Sequence, residues 1–387
     1  MIRRSSRVLT CAIAGAALAP GVAFAHTPRA GETSRGLGTE LRGLVRMPDG
    51  PPGAIVVVQR GAQRRVYTAG VRELGSQQPV RVSDRMRLAS TAKAFSGAVA
   101  LSLVDSHKLS LNDTIAKLLP RLPASWGKVT LRQALQHTSG LPELLHNDPL
   151  IDYATKHPHS KPTPMFLLHF LAHDPLDFRP GSKYHYSNTD NFVVALMAQA
   201  VTHTNYASLL RSRVYKPLGL SGTTLPRGSA MPKPYLHGYR PDPPHPREDV
   251  STSLSAAYSW ASGGIISTPG DLNRFIRGYT GARLFNRAVQ RQQLRFVAGN
   301  SEPIGPGSNS AGLAIFRYRT RCGTVYGHTG NTDGYTQFMA STLNGQRSVT
   351  VSVSGQITNR SSGARLAAFT RLRAIEADAV CTALSGK

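Results

Sequence analysis

Strand-forming sequence lies at both ends of this chain, and helix-forming sequence fills the span between them. Ala54–Gln59 (AIVVVQ) is β-branched and apolar, hence a strand, and RRVYTAGV after it reads as its hairpin partner. The last third returns to short alternating runs: AGLAIFRYR, GTVYGHTG, YTQFMAST and RSVTVSVSG. NTDG and NGQR supply Asp-Gly and Asn-Gly turns between them. In the middle, Ser90–Val104 has small residues first and then apolar positions at helical spacing. DNFVVALMAQAVTHT reads as a second helix, and YRPDPPHPRED (residues 239–249) as an exposed loop. A final helix is expected over about 362–382. This order predicts an α+β fold: one antiparallel sheet completed by both ends of the chain, with a helical domain inserted. The expected division is sheet over 39–95 and 266–387, and helices over 96–265. A cleft is expected where the two parts meet.

The N-terminus reads as an export signal. Arg3, Arg4 and Arg7 precede an apolar run from Val8 to Ala25 that closes on Ala23-Phe24-Ala25, a small-x-small cleavage pattern. Arg3-Arg4 leaves a twin-arginine route open beside the general one. Residues 1–25 are therefore expected to be removed, with 26–38 as a flexible lead-in and the protein secreted. Cys11 leaves with the signal, so Cys322 and Cys381 remain as an even pair in an oxidising compartment, and a disulfide between them is predicted. The formal net charge of +25 is scattered rather than gathered in a block. No zinc-finger or RNA-binding signature accompanies it, so the reading is no nucleic acid partner. An anionic wall polymer or membrane surface, or solubility alone, accounts for the charge. A monomer is expected.

Ser90 and Lys93 in RLASTAKAFSGAVALSLVD lie three residues apart, on one face of a helix. Near a helix N-terminus and among small apolar neighbours, the lysine would be desolvated, its pKa would fall, and it could take the serine proton. A second Ser-x-x-Lys, Ser125 to Lys128, lies in RLPASWGKVT with no apolar helix behind it, and reads as a loop. Tyr186-Ser187-Asn188 places a phenol and a carboxamide two residues apart. On its own this reads as a turn before a helix, with Asn188 or Asp190 as N-cap. His328-Thr329-Gly330 follows an extended run that could offer its backbone to a substrate. There Gly330 permits close approach, Thr329 offers a hydroxyl, and His328 offers a pH-dependent charge. His169 and His173 have a spacing that can bind metal, but no glutamate of a zinc-protease motif lies between them. They read as ordinary histidines, and no metal or cofactor is expected. Tyr258 and Trp260 read as either cleft lining or core.

In this order, Ser-x-x-Lys, Tyr-x-Asn and His-Thr-Gly resemble the signature of the serine β-lactamase and penicillin-recognising DD-peptidase superfamily. Tyr-x-Asn is similar to the class C-like branch. HTG in place of KTG resembles its secreted actinomycete D-alanyl-D-alanine carboxypeptidase/transpeptidase members. LRQALQHTSGL, YSNTDNFVVA and GGIISTPGDLNRF extend the likeness over nearly all of residues 40–387. The resemblance implies an antiparallel-sheet domain beside an all-helical one, with the site between them. It implies Ser90 as acylated nucleophile, Lys93 as its base partner and Tyr186 as proton shuttle. Asn188 would orient Lys93 and the substrate amide, while His328, Thr329 and Gly330 would shape the site and hold the substrate. Backbone N–H groups of Ser90 and Asn331 would form the oxyanion hole. Which of Lys93 and Tyr186 takes the first proton stays open.

Two positions depart from those members. Where they carry an arginine for the terminal carboxylate, Phe316 follows GLAI, and Asn331 stands where they have a threonine. Arg317 and Arg319 fall on the other face of the strand from Phe316, and a bulge would be needed to bring Arg319 or Arg321 into play. The leading expectation is an exported D-alanyl-D-alanine carboxypeptidase acting on peptidoglycan stem peptides through a Ser90 acyl-enzyme, with β-lactam antibiotics as covalent inhibitors. A serine esterase or amidase comes second and a β-lactamase third. A non-catalytic wall binder is disfavoured by the three intact motifs.

Overall fold

The computed structural model describes residues 33–242 and 245–385. Residues 1–32, with the export signal, Cys11 and most of the lead-in, lie outside the described residues. Helix α1 (Thr33–Arg46) begins inside the expected lead-in. Its Leu37, Leu41 and Leu44, spaced four and three apart, form one buried stripe that supports the helix. The hairpin β1 (Gly53–Arg60) and β2 (Gln63–Gly70) follows, then the short β3 (Met86–Arg87) and helix α2 (Ala92–Asp105). The helical part contributes α3 (Leu131–Gln136), α4 (Pro164–His169) and α5 (Asn188–Thr202).

The segment 239–249, read as a loop, instead holds β4 (Tyr239–Asp242) and β5 (His245–Asp249). They pair antiparallel with a shifted register between Arg240 and Asp242. Prolines that would break a central strand are tolerated in a two-stranded pair with open edges. Arg240 also pairs with Glu248 across the hairpin and ties it to Asp333. Helix α6 (Trp260–Gly263), strand β6 (Ile266–Ser267) and helix α7 (Pro269–Thr280) lead back to the sheet. There β7 (Val297–Ala298), β8 (Ser308–Ala311), β9 (Phe316–Thr320), β10 (Gly323–Thr332), β11 (Tyr335–Ser341) and β12 (Arg347–Val353) precede the last helix, α8 (Gly363–Ser385). AGLAIFRYR is therefore two strands: the chain turns through 312–315 between β8 and β9, with Ala314 at φ +51°.

The eight-stranded sheet runs β2-β1-β12-β11-β10-β9-β8-β7 and is antiparallel throughout. β1 pairs with β12, Ala54 opposite Val353, so the two ends of the chain complete one sheet, as the strand pattern predicts. Alternation sorts the β1 side chains. Val56 and Val58 join Leu41, Phe338, Val351 and Leu372 under α1 and α8, while Ile55 and Val57 face Val80 and Leu236. A separate core gathers the helical part around α2, where every residue from Ala92 to Leu103 is buried. A helix apolar on all sides is stable only when surrounded. Cys322, in the turn between β9 and β10, is disulfide-bonded to Cys381 on α8. Among the described residues, no helix is long and apolar enough to cross a membrane.

Candidate active site

Ser90 sits on a single 3-10 turn, Ala89–Thr91, that leads straight into α2. Ala89 is held at φ +50°, a left-handed conformation that costs a non-glycine residue about 1–2 kcal/mol. Two contacts hold the turn. Thr91 Oγ1 donates to the Leu88 carbonyl at 2.8 Å. Strand β10 presses against it at Gly330, where an added Cβ would fall 2.6 Å from Leu88 O and 3.0 Å from Ser90 N. Only glycine leaves room for that approach, and the Ser90 N–H is thereby set beside β10.

One helical turn on, Lys93 is fully buried, and its Nζ donates to Ser90 Oγ (3.0 Å), Asn188 Oδ1 (2.6 Å) and the Ser262 carbonyl of α6 (3.0 Å). Those bonds use all three ammonium donors. Burial lowers the Lys93 pKa to about 7, against the opposing pull of Glu143, Glu302 and Asp190. Tyr186, also buried, has its ring centroid 4.9 Å from Lys93 Nζ. Desolvation raises its pKa well above the ordinary phenol value, so the phenol stays protonated. Its hydroxyl lies beside Ser90, which offsets part of that rise, yet it has no hydrogen-bond partner among the described residues.

The true N-cap of α5 is Ser187, whose hydroxyl accepts from Thr189 N. Neither Asn188 nor Asp190 takes that role. Asn188 is left free to face Lys93, and Asp190 turns into the core, where its carboxylate meets His137 Nδ1 at 2.8 Å. The His137 ring packs 4.5 Å from that of Tyr186. Burial drives this pair toward a neutral, one-proton state, with His137 lowered to about 3 and Asp190 raised well above the carboxylate range.

The third motif sits deeper than the sequence suggests. His328 is completely buried, its Nδ1 donates to the Thr329 carbonyl at 2.5 Å, and its ring lies 5.0 Å from Phe316. Burial lowers its pKa to about 3, so it is neutral and carries no pH-dependent charge in the physiological range. The Thr329 hydroxyl is also buried and donates to the Pro303 carbonyl at 2.6 Å, which ties β10 to the cleft wall. Asn331 is half-buried and lines the cleft; its side-chain amide donates to Thr336 Oγ1 and the Ile357 carbonyl.

The cleft holds about 510 Å³, and Ser90, Tyr186, Asn188, Glu302, Asn331 and Arg360 are among its walls. Of the three arginines that follow closely on Phe316, namely Arg317, Arg319 and Arg321, none belongs to it. Arg317 stacks on Phe296 and bonds Ser310, Arg319 is exposed on β9, and Arg321 pairs with Asp378 of α8. Instead Arg360, in the loop before α8, reaches the cleft and pairs with Glu302 at 3.0 Å. Sequence reading missed Arg360, Glu143 and His137, because their roles depend on loops far away in the chain. The second Ser-x-x-Lys is no site: Ser125 and Lys128 are both exposed. Helix α4 ends at His169, so His173 does not share it. Tyr258 is buried and bonds the His157 carbonyl, and Trp260 packs edge-on against Phe192 and Tyr206, away from Ser90.

This geometry suits nucleophilic acyl transfer: a hydroxyl, a desolvated amine within reach of it, a protonated phenol beside both, and a strand edge next to the nucleophile. Known proteins agree. A D-stereospecific amidohydrolase from Streptomyces sp. superposes with a TM-score of 0.74 at 27% identity, covering 91% of this chain and 98% of its own. The D-alanyl-D-alanine-carboxypeptidase/endopeptidase AmpH of Escherichia coli K12 is 26% identical over 264 residues, 64% of this chain and 62% of AmpH. Protein flp of Staphylococcus aureus is 24% identical over 193 residues, 49% of this chain. The chain thus spans 38% of flp and 62% of AmpH, less than two thirds of either curated relative. The Beta-lactamase family model matches residues 42–372. With that span covering both the sheet and the helical part, the chain belongs to the Beta-lactamase family and has the β-lactamase/DD-peptidase fold.

Proposed function

We propose that this protein cleaves amide bonds of D-amino-acid acyl donors through a Ser90 acyl-enzyme, with the D-alanyl-D-alanine terminus of peptidoglycan stem peptides as first substrate. The observation that carries the reading is Lys93: a buried amine with its pKa near 7, hydrogen-bonded to Ser90, which lines the cleft at the head of α2. Neutral Lys93 takes the Ser90 proton as Oγ attacks the carbonyl carbon. The oxyanion forms between the backbone N–H groups of Ser90 and Asn331. The proton passes from Lys93 by way of Tyr186 to the departing amine nitrogen, and the C–N bond breaks. Water then attacks the ester, giving its proton to the same pair, and Ser90 is restored. Two features support Lys93 over Tyr186 as first base. Burial holds the phenol protonated, and the same burial makes the amine a base near neutral pH.

Arg360 supplies the cation that a terminal carboxylate needs, in place of the strand arginine that Phe316 displaces. A second reading, a D-amino-acid amidase, is favoured by the Glu302 carboxylate that already neutralises Arg360 and by the likeness to the Streptomyces amidohydrolase. Secretion through cleavage after Ala25 belongs to the same proposal, and N-terminal sequencing of protein from culture medium tests it. For the activity, D-alanine release from diacetyl-Lys-D-Ala-D-Ala is measured with Ser90→Ala alongside. Release that vanishes in the variant supports the carboxypeptidase. No release, together with hydrolysis of D-phenylalanine amide, transfers the reading to the amidase.

A further inference from the structure

Glu143 lies just before the 3-10 turn Leu144–His146 and belongs to none of the three motifs. Its carboxylate accepts from Asn188 N at 2.6 Å, Asn188 Nδ2 at 2.9 Å and Leu145 N at 2.8 Å. The first of these N–H groups belongs to the opening turn of α5, where a carboxylate is favoured. The second decides which way the Asn188 amide points. A carboxylate only accepts and an ammonium only donates. With Glu143 on one side and Lys93 on the other, the amide has a single orientation that satisfies both, nitrogen toward Glu143 and oxygen toward Lys93.

We propose that Glu143 is a positioning residue for acyl transfer: its carboxylate locks the Asn188 amide against Lys93 and keeps that lysine's proton affinity within the working range. The inference rests on the reading of Lys93 as base. The groups facing Lys93 are Glu143, Glu302 from the loop before β8 and Asp190 of α5, with neutral His137, His328 and Tyr186 around them. Asp190 is engaged by His137 at 2.8 Å, where burial raises its pKa, and Glu302 is engaged by Arg360. Glu143 is the carboxylate linked to Lys93 through one shared amide. Its loop is also docked without it: Thr189 Oγ1 donates to the Pro142 carbonyl at 2.5 Å and accepts from Leu144 N at 3.0 Å. Glu143→Gln should therefore fold.

The test follows Lys93 itself, by NMR titration of 13Cε-lysine-labelled protein, together with the pH profile of acylation by a fluorescent penicillin. In Glu143→Gln the Lys93 midpoint should fall by about half a pH unit or more, because a negative charge that favours the ammonium is gone. The acid limb of acylation should move the same way, and the plateau rate should drop about tenfold as the amide loosens. Glu143→Asp keeps the charge but retracts it by one methylene, and should fall between. A wild-type midpoint and plateau in both variants would overturn the proposal. If wild type takes no label but its Lys93 midpoint still moves in Glu143→Gln, the acyl-transfer reading falls and the electrostatic role of Glu143 stands.

Discussion

Ser90–Lys93 and Ser125–Lys128 share the same letters and spacing, and the molecule treats them in opposite ways. The first pair opens a helix buried on every side, with its amine sealed from water and hydrogen-bonded to three groups. The second lies on a surface 3-10 turn with both side chains in solvent. The difference is made by desolvation and by partners from distant parts of the chain, Asn188 and Ser262.

The strongest way to break this comparison is to delete each serine. Ser90→Ala should lower D-alanine release or D-amide hydrolysis by about a thousandfold or more, whereas Ser125→Ala should leave it unchanged. Comparable losses in both would remove the distinction. Next comes Gly330→Ala. Its Cβ would push β10 away from Leu88 and Ser90, and turnover should fall about 100-fold with the protein still folded by circular dichroism.

Arg360→Ala sharpens the comparison at the level of substrate. KM for a carboxylate-terminated D-Ala-D-Ala peptide should rise about tenfold, with a change of about twofold or less for a D-amino-acid amide. Equal effects on both substrates would remove carboxylate recognition from Arg360. The mildest probe is pH. Lys93 must be neutral to act and its pKa is lowered to about 7, so kcat/KM should climb from acid pH to a plateau with its midpoint near 7. Lys128→Met should leave that midpoint in place. A profile flat between about pH 5 and 9 would take the base role from Lys93.

Much of the fold was legible because period-two alternation and turn chemistry are local. The early hairpin, the last three strands and the helices beginning near Ser90 and Asn188 lie where their patterns place them, while AGLAIFRYR splits into two strands at its turn. The misses have physical causes. α1 was hidden because its leucine stripe follows a glycine-rich start, and β4–β5 because prolines mask a strand that has only one neighbour. Arg360, which the sequence reading passed over, comes to the cleft from a loop more than forty residues after Phe316. Motif spelling also hides burial: the Thr329 hydroxyl donates to Pro303, and buried His328 is neutral rather than pH-switched.

By itself, the sequence determined that the two ends of the chain would build one antiparallel sheet, and it marked Ser90–Lys93 rather than Ser125–Lys128 as the pair at the head of a buried helix. Both follow from local patterning. The tertiary structure alone decided the charge states and the partners. Proton affinity depends on how much water is excluded and on which charges stand within a few ångströms. For Lys93 those neighbours are Asn188, Ser262, Glu143 and Glu302, from segments 50 to more than 200 residues away, and only the folded chain brings them together.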